Sequence, residues 1–462
     1  MLYSLLLRLA LPLQALRFWW RGWRHPVYRG SLRAHLSFAM VARHDRPLWL
    51  HAASAGEVQS LAGLLQQLRQ LHPSLPLLLT VGTPTGLARA RELYAALLDA
   101  GSATEAVPAL TLQPAPWDLP GAARRFLSAS NPRIGVFVES ELWPNLVRAA
   151  ADRRLPLLLV SARVSARSTA RYLRWAPRLI RDTVRAFALL DAQSAADRER
   201  FVALGAEPTR VRVAGNLKFD LPLPQDVIER GAELRRRVAS DRPLWVAGST
   251  HEGEEATCLA AQQALRATAH AARAPAPLLV LAPRRPERFE AVARWLESKG
   301  VAYRRYSAIC AMTGGTADAA RTREATDVLL VDRFGELLNC YAAADVCFVG
   351  GTLVPAGGHN LLEPAALGKP VLAGPWCFNA PDSAQLLAAA GALRQVRDGG
   401  ELAQTLRQWL ENPSLASRLG SEAAAAVAAN RGAAAQGVRA ITALLAQEPA
   451  LVSSTGSPSA GG

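Results

Sequence analysis

Apolar residues in this chain gather into short continuous runs. Most of these runs end in a Gly-, Ser- or Thr-containing step before helical spacing begins. Such runs mark strands of a parallel sheet buried on both faces. In the first half they predict strands at Leu48–Leu50, 76–81, Ile134–Val138, Leu155–Val160, Phe187–Leu190 and Val211–Ala214. Helices are expected from Glu57 through Leu68, after the loop Thr83-Pro84-Thr85-Gly86, from Trp143-Pro144-Asn145, and over the basic amphipathic stretch 171–190 that runs into the fifth strand. Then the pattern restarts. A charged helical segment with prolines at both ends, 221–243, reads as a linker, and strands follow at Leu244–Ala247, Leu278–Leu281, Val328–Val331, Val346–Val349 and Pro370–Gly374. Residues 313–326 read as a loop or edge, and Ala-rich helix runs from Asp382 to about Ala446. Strand and helix alternating in this way predict two doubly wound α/β domains, 26–220 and 221–447, facing a cleft between their strand C-termini. The last helices are free to pack back on the first domain, and the polar tail 448–462 is expected to be disordered.

The first 25 residues stand apart. Arg8, Pro12, Gln14 and Arg17 interrupt a Leu-rich run, and Trp19, Trp20, Trp23, Arg21 and Arg24 follow. A spanning helix needs about 20 apolar residues. This segment is therefore expected to lie in a membrane interface, with tryptophans at headgroup level and arginines on anionic lipid; a single-span anchor is the alternative.

Composition is globular, and the formal net charge is +15, from 53 Lys and Arg against 38 Asp and Glu. A basic surface suits phosphates or an anionic membrane face. Nucleic acid is disfavoured, because the basic residues are dispersed and no recognition motif is present. The five cysteines form no C-x-x-C pair and read as buried thiols in a reducing compartment. No metal-ligand spacing occurs.

Candidate chemistry falls at the strand ends, where open α/β sheets bind ligands. Glu57 follows the first strand, in the first turn of a helix, where it equally serves the helix dipole. Glu139 and Glu141 follow the Ile134–Val138 strand and share one side of an extended chain. Arg284 and Arg285 follow Leu278–Leu281, well placed for a phosphate or carboxylate. Gly350-Gly351 and Gly357-Gly358 bracket a loop that leads to a helix start at His359-Asn360-Leu361-Leu362-Glu363. That is either an anion cradle or an ordinary β-α-β turn, and Asn360-x-x-Glu363 also has capping-box spacing.

With these residues laid out, the chain resembles the 3-deoxy-D-manno-octulosonic acid (Kdo) transferases. The matching pieces, in order, are HAASAGE, TPTG, ESELWPNL, SARVSARS, GNLKFD, STHEGEE, LAPRRPERF, FGELLNCYAAAD and FVGGTLVPAGGHNLLEPAALGKPVLAGP. The resemblance implies a glycosyltransferase B-type fold of two Rossmann-like domains. It implies a metal-independent, inverting enzyme that moves Kdo from CMP-Kdo to the lipid A precursor lipid IVA at the cytoplasmic face of the inner membrane. It implies Glu57 as general base, with Glu139 and Lys218 stabilising the transition state. The CMP moiety maps onto Arg284 and Arg285, onto Gly335-Glu336-Leu337, and onto Asn360-Leu361-Leu362-Glu363. Ala53, Ala55 and Asn216 depart from the family pattern at packing positions. Competing readings are another nucleotide-sugar enzyme of the same fold, such as a UDP-sugar transferase or a 2-epimerase, and a membrane-tethered nucleotide-binding module without catalysis.

Overall fold

The structure is a computed structural model that describes residues 2–24, 34–38, 46–99, 109–311 and 326–447. The tail 448–462, the segment 313–325 and the side chains of Trp19, Arg21 and Arg24 lie outside the described residues. The chain divides into two compact units, one of residues 1–222 with 431–462, the other 223–430.

The first unit is built on seven strands: β1 (Leu48–Ala52), β2 (Leu77–Val81), β3 (Leu110–Pro114), β4 (Ile134–Val138), β5 (Leu157–Ala162), β6 (Leu189–Ala192) and β7 (Val211–Val213). All pair in parallel, in the order β3-β2-β1-β4-β5-β6-β7. Alternate residues feed two cores. Leu48, Leu50 and Ala52 meet the helices Ala62–Leu71 and Ala433–Ala446. Trp49, between them, meets Phe126, Phe137 and the helix Pro144–Ala151 on the other face. Burial on both faces is why the strands read as unbroken apolar runs.

The second unit repeats the plan with β8 (Leu244–Thr250), β9 (Leu278–Pro283), β10 (Tyr303–Arg305), β11 (Val328–Leu330), β12 (Val346–Val349), β13 (Val371–Ala373) and β14 (Leu393–Gln395), in the order β10-β11-β9-β8-β12-β13-β14. Its two cores lie on opposite faces of that sheet.

Several expectations change. Segment 221–243 is no linker: the helix Val227–Val238 buries Val227, Leu234 and Val238 in the second unit's core, beside the helix Leu337–Ala343. The helix expected from Glu57 through Leu68 starts at Ala55, steps at Leu61 and ends at Leu71. The basic stretch 171–190 is two helices, Ala166–Trp175 and Pro177–Arg185, because Pro177 cannot donate the hydrogen bond that would continue the first. The Ala-rich region after Asp382 contains β14 and separates into four helices, 381–389, 399–410, 413–429 and 433–446. Cys310 is exposed, whereas the other four cysteines are buried.

The last of the described helices, Ala433–Ala446, belongs to the first unit and not to the second. Asp220 holds its start: one carboxylate oxygen accepts from Gly432 N and the other from Ala434 N, both at 2.8 Å. Two of the helix's unpaired N–H groups are satisfied in this way. Gly63 allows this closeness, since a Cβ there would sit 2.1 Å from the Asp220 carbonyl oxygen. Further along, His72 meets Thr442 Oγ1 at 2.9 Å, and Arg212 donates to Gln436 O at 3.1 Å.

The helix Leu2–Arg24 carries an exposed apolar stripe of Leu2, Leu5, Leu6, Leu9, Leu13, Leu16, Trp20 and Trp23, at helical spacing. Its first turn is tied down: Tyr3 Oη donates to Asp118 at 2.8 Å and Ser4 Oγ to Asn145 at 2.7 Å. Among the described residues no helix is long and apolar enough to cross a membrane.

Asp220→Ala strips the last helix of its cap and is expected to destabilise the first unit by about 1–2 kcal/mol. Thermal or urea unfolding, followed by the fluorescence of Trp49 in a variant lacking the other tryptophans, measures it.

Candidate functional site

Each sheet grows in both directions from its first strand. The first sheet grows from β1 outward to β2 and β3, then resumes at β4 on the other side of β1. The loops leaving β1 and β4 therefore diverge, and the crevice between them at the strand C-termini is where such sheets bind ligands. Glu57 follows β1, and Glu139 and Glu141 follow β4.

Glu57 is placed by its own helix start. Ser54 is the N-cap, its Oγ accepting from Glu57 N at 3.4 Å and donating to Glu57 Oε1 at 3.0 Å. Ala53 N donates to Glu57 Oε2 at 2.6 Å. Glu57 thus does serve the helix start, by a variant of the capping box. It is 8% exposed. Burial, then the charges of Glu141 and Glu139, push its carboxyl up to about 7, against the opposing pull of the Ala53 N–H and Ser54.

Glu139 and Glu141 do not share an extended chain. Glu139 is a turn residue with φ +60°, a left-handed conformation that a side chain adopts at a cost of roughly 1–3 kcal/mol. The two carboxylates have different partners. Glu139 pairs with Lys218 Nζ at 2.8 Å. Glu141 Oε2 accepts from Trp143 Nε1 and lies 3.7 Å from His51 Nε2. Lys218 sits in the single 3-10 turn Leu217–Phe219, capped by Asn216, whose Oδ1 accepts from Lys218 N at 3.0 Å. Ser161 Oγ in turn donates to that oxygen at 3.3 Å and accepts from Leu217 N at 3.0 Å. The structure therefore brings Glu57, Glu139 and Lys218 together. Beside them stand Glu141, the second carboxylate noted at that strand end, and His51 and Trp143, which the sequence shows only as a strand residue and a helix start.

The second sheet reverses between β8 and β12. Here the Gly-rich loop is not an open anion cradle. Gly351 N, Thr352 N and Leu353 N donate to the carboxylate of Glu254 at 2.6, 3.0 and 2.9 Å, and His251 N adds a fourth bond at 2.9 Å. Glu254 is fully buried. Gly350 lets the ends of β8 and β12 touch: a Cβ there would lie 2.5 Å from Ser249 O. The helix expected at His359 begins at Leu362 and is only five residues long. Asn360 Oδ1 accepts from Leu362 N at 3.1 Å, and its Nδ2 donates to Glu363 Oε1 at 3.1 Å. Leu361 and Leu362 are buried, so only their backbone is available to a ligand.

Arg284 is half-buried and Arg285 exposed, just past β9, with Arg284 N bonded to Thr250 O at 3.0 Å. Arg288, not singled out in the sequence, forms a two-pronged pair with buried Glu255, at 2.6 and 3.3 Å. Gly335 has φ +89° before the helix Leu337–Ala343, and Glu336 accepts from Tyr306 Oη at 2.8 Å and Asn339 Nδ2 at 2.9 Å. Among the described residues no group of three or more His, Cys, Asp or Glu side chains is placed to hold a metal ion.

Two parallel-sheet α/β domains in one chain define the architecture of B-type glycosyltransferases and of nucleotide-sugar epimerases. The UDP-GlcNAc 2-epimerase from Neisseria meningitidis bound to UDP-GlcNAc shares the fold, with TM-score 0.50 and 13% identity, covering 87% of this chain and 100% of that one. Sequence narrows the class. The family model described as 3-deoxy-D-manno-octulosonic-acid transferase (kdotransferase) matches residues 30–221. The 3-deoxy-D-manno-octulosonic acid transferase of Bordetella pertussis is 37% identical over 439 residues, 93% of this chain and 96% of that protein. Its counterpart from Haemophilus influenzae is 33% identical over 413 residues, 89% of this chain and 90% of that protein. The chain belongs to the Kdo transferase family and is a glycosyltransferase.

Glu254→Gln turns an amide N–H₂ toward backbone donors that need an acceptor. The second unit is expected to lose about 2–3 kcal/mol, read as a drop in denaturant midpoint.

Proposed function

We propose that the protein transfers Kdo from CMP-Kdo to a hydroxyl of lipid IVA, with inversion at the anomeric carbon and without a metal ion, at the cytoplasmic face of the inner membrane. The observation that carries this reading is Glu57, a buried carboxylate poised near neutrality at a sheet reversal beside Glu139 and Lys218. A base works best when its pKa lies near the working pH. In the proposed step the acceptor oxygen attacks the anomeric carbon of Kdo, and its proton passes to Glu57. The bond from that carbon to the phosphate oxygen breaks, and CMP departs with the electron pair. A single displacement of this kind inverts the centre. Lys218 offers positive charge to the departing phosphate or the sugar carboxylate, and Glu139 offers negative charge to the oxocarbenium character that develops. Arg284 and Arg285, with the loops at Gly335–Leu337 and Asn360–Glu363, hold the CMP moiety. The exposed stripe of the helix Leu2–Arg24, with exposed Arg8 and Arg17, suits the interface of an anionic membrane that carries the lipid acceptor.

Incubating the full chain with CMP-Kdo and lipid IVA, followed by mass spectrometry and NMR of the product, tests the whole reading. Added Kdo mass with inverted anomeric configuration is expected. Transfer from a UDP-sugar instead, or protection of the protein by UDP and not CMP, overturns it in favour of a UDP-sugar transferase or epimerase. A wild type that binds CMP but transfers nothing indicates a binding module.

Glu57→Gln is expected to lower kcat by about 10²- to 10⁴-fold. Glu57 acts as a base only when ionised. The wild-type rate therefore falls below its pKa of about 7, and Glu141→Gln, by removing a neighbouring negative charge, shifts that limb to lower pH. Deleting residues 2–24 is expected to reduce co-sedimentation with anionic vesicles; unchanged partition excludes this helix as the principal anchor.

A further inference from the structure

The crevice at the second sheet reversal holds two histidines that no role above requires. His251 directly follows β8, and His359 closes the loop that leaves β12, so the pair bridges the diverging loops. Their Nε2 atoms are 2.8 Å apart. The ring planes are 19° apart and the centroids 5.0 Å apart. At that separation the rings lie end to end and share an in-line hydrogen bond.

Two imidazole nitrogens this close cannot both be bare, since their lone pairs would repel, nor both protonated. One ring donates and the other accepts, and the accepting ring carries its proton on Nδ1. A neutral pair of this kind has room for one more proton, on the free Nδ1 of the donating ring. The result is a singly charged, charge-assisted N–H···N bond. A second added proton would break the bond.

The surroundings decide whether that proton is present. His359 faces Arg284 and His251. His251 faces Glu254 and Glu255 from the helix behind it, and Arg285 and Arg288 from the loop beyond β9. Burial, then Arg284, then His251 push His359 down to about 4. Burial leads the downward push on His251, with Glu254 opposing it and Arg285 and Arg288 adding to it. Near neutral pH the empty pair is therefore uncharged. Glu254 is already occupied by four backbone N–H groups and Glu255 by Arg288, which leaves Arg284, the exposed Arg285 and the pair to meet an incoming anion.

We propose that His251 and His359 form, with Arg284, a proton-linked phosphate site that takes up one proton when the nucleotide phosphate of the donor binds and gives it back when the nucleotide leaves. An anion beside Arg284 offsets the Arg284 repulsion that adds to burial in keeping the pair neutral, and it attracts the extra proton. The inference rests on the donor reading given above.

Calorimetry of the full chain with CMP at pH 7.5, in Hepes and in Tris, counts the protons exchanged, because the two buffers differ in ionisation enthalpy. CMP itself is then almost wholly dianionic, its second phosphate pKa being about 6. The wild type is expected to take up about half a proton or more per CMP bound, and its affinity to fall by up to about tenfold per unit between pH 7 and 8.5. His251→Gln and His359→Gln keep a hydrogen-bonding group but cannot take the proton; both are expected to bind CMP more weakly, with no uptake and a flat profile. Wild-type binding without proton uptake overturns the inference, as does undiminished uptake in both variants, while leaving the donor reading intact. No CMP binding at any pH overturns both. Should a variant fail to fold, the wild-type proton count decides alone.

Discussion

A parallel sheet that grows in both directions from its first strand has one seam where neighbouring strands send their loops to opposite faces. The backbone groups and side chains at the strand ends there have no sheet to cover them, and the rest of both units follows from how they are satisfied. In the first unit the seam between β1 and β4 is closed by carboxylates, Glu57 from one side and Glu139 and Glu141 from the other. In the second, the seam between β8 and β12 is closed by Glu254, which gathers four backbone N–H groups, and by the two histidines above it.

The same residues therefore hold structure and carry chemistry. Glu57 caps its helix start, and the hydrogen bonds that do so favour the ionised form. Burial and two neighbouring carboxylates favour the protonated form. The second set prevails, with burial foremost, and lifts the group from the ordinary carboxylate range to about 7. Lys218 draws Glu139 into an ion pair, so Glu139 repels Glu57 less than a lone carboxylate would. Ser161 and Asn216 determine where Lys218 can stand, and they do so through hydrogen bonds to one short turn.

The alternation of strand and helix, and with it the fold class, was legible because central strands buried on both faces leave unbroken apolar runs. The strands that escaped notice, β3, β10 and β14, all lie at sheet edges. In β14 only Leu393 is buried, and in β10 no residue is fully so, which leaves too little apolar pattern to read. Segment 221–243 was misread for the converse reason: its charges are on the outside of a helix whose Val227, Leu234 and Val238 reach the core. At the site, Glu57, Glu139, Lys218 and Arg284 were found from strand ends and from the family resemblance. His51 was not, since a histidine inside an apolar strand looks like filler until its neighbour across the seam is known. Nor could spacing show that the Gly-rich loop spends its N–H groups on Glu254, a residue nearly a hundred positions away.

The helix Ala433–Ala446 supplies Ala433, Ala434, Val438 and Ile441 to the core of the first unit, although the whole second unit precedes it in the chain. Synthesis on the ribosome proceeds from the N-terminus, so the first unit emerges early with one face of its sheet uncovered. The second unit, 223–430, is contiguous and can be completed before the last helix exists. The half that begins first is finished last. A growing chain must hold the face of β1 and β4 open until this helix appears, and a message ending before Ala433 would leave the unit bearing Glu57 incomplete while the other is whole.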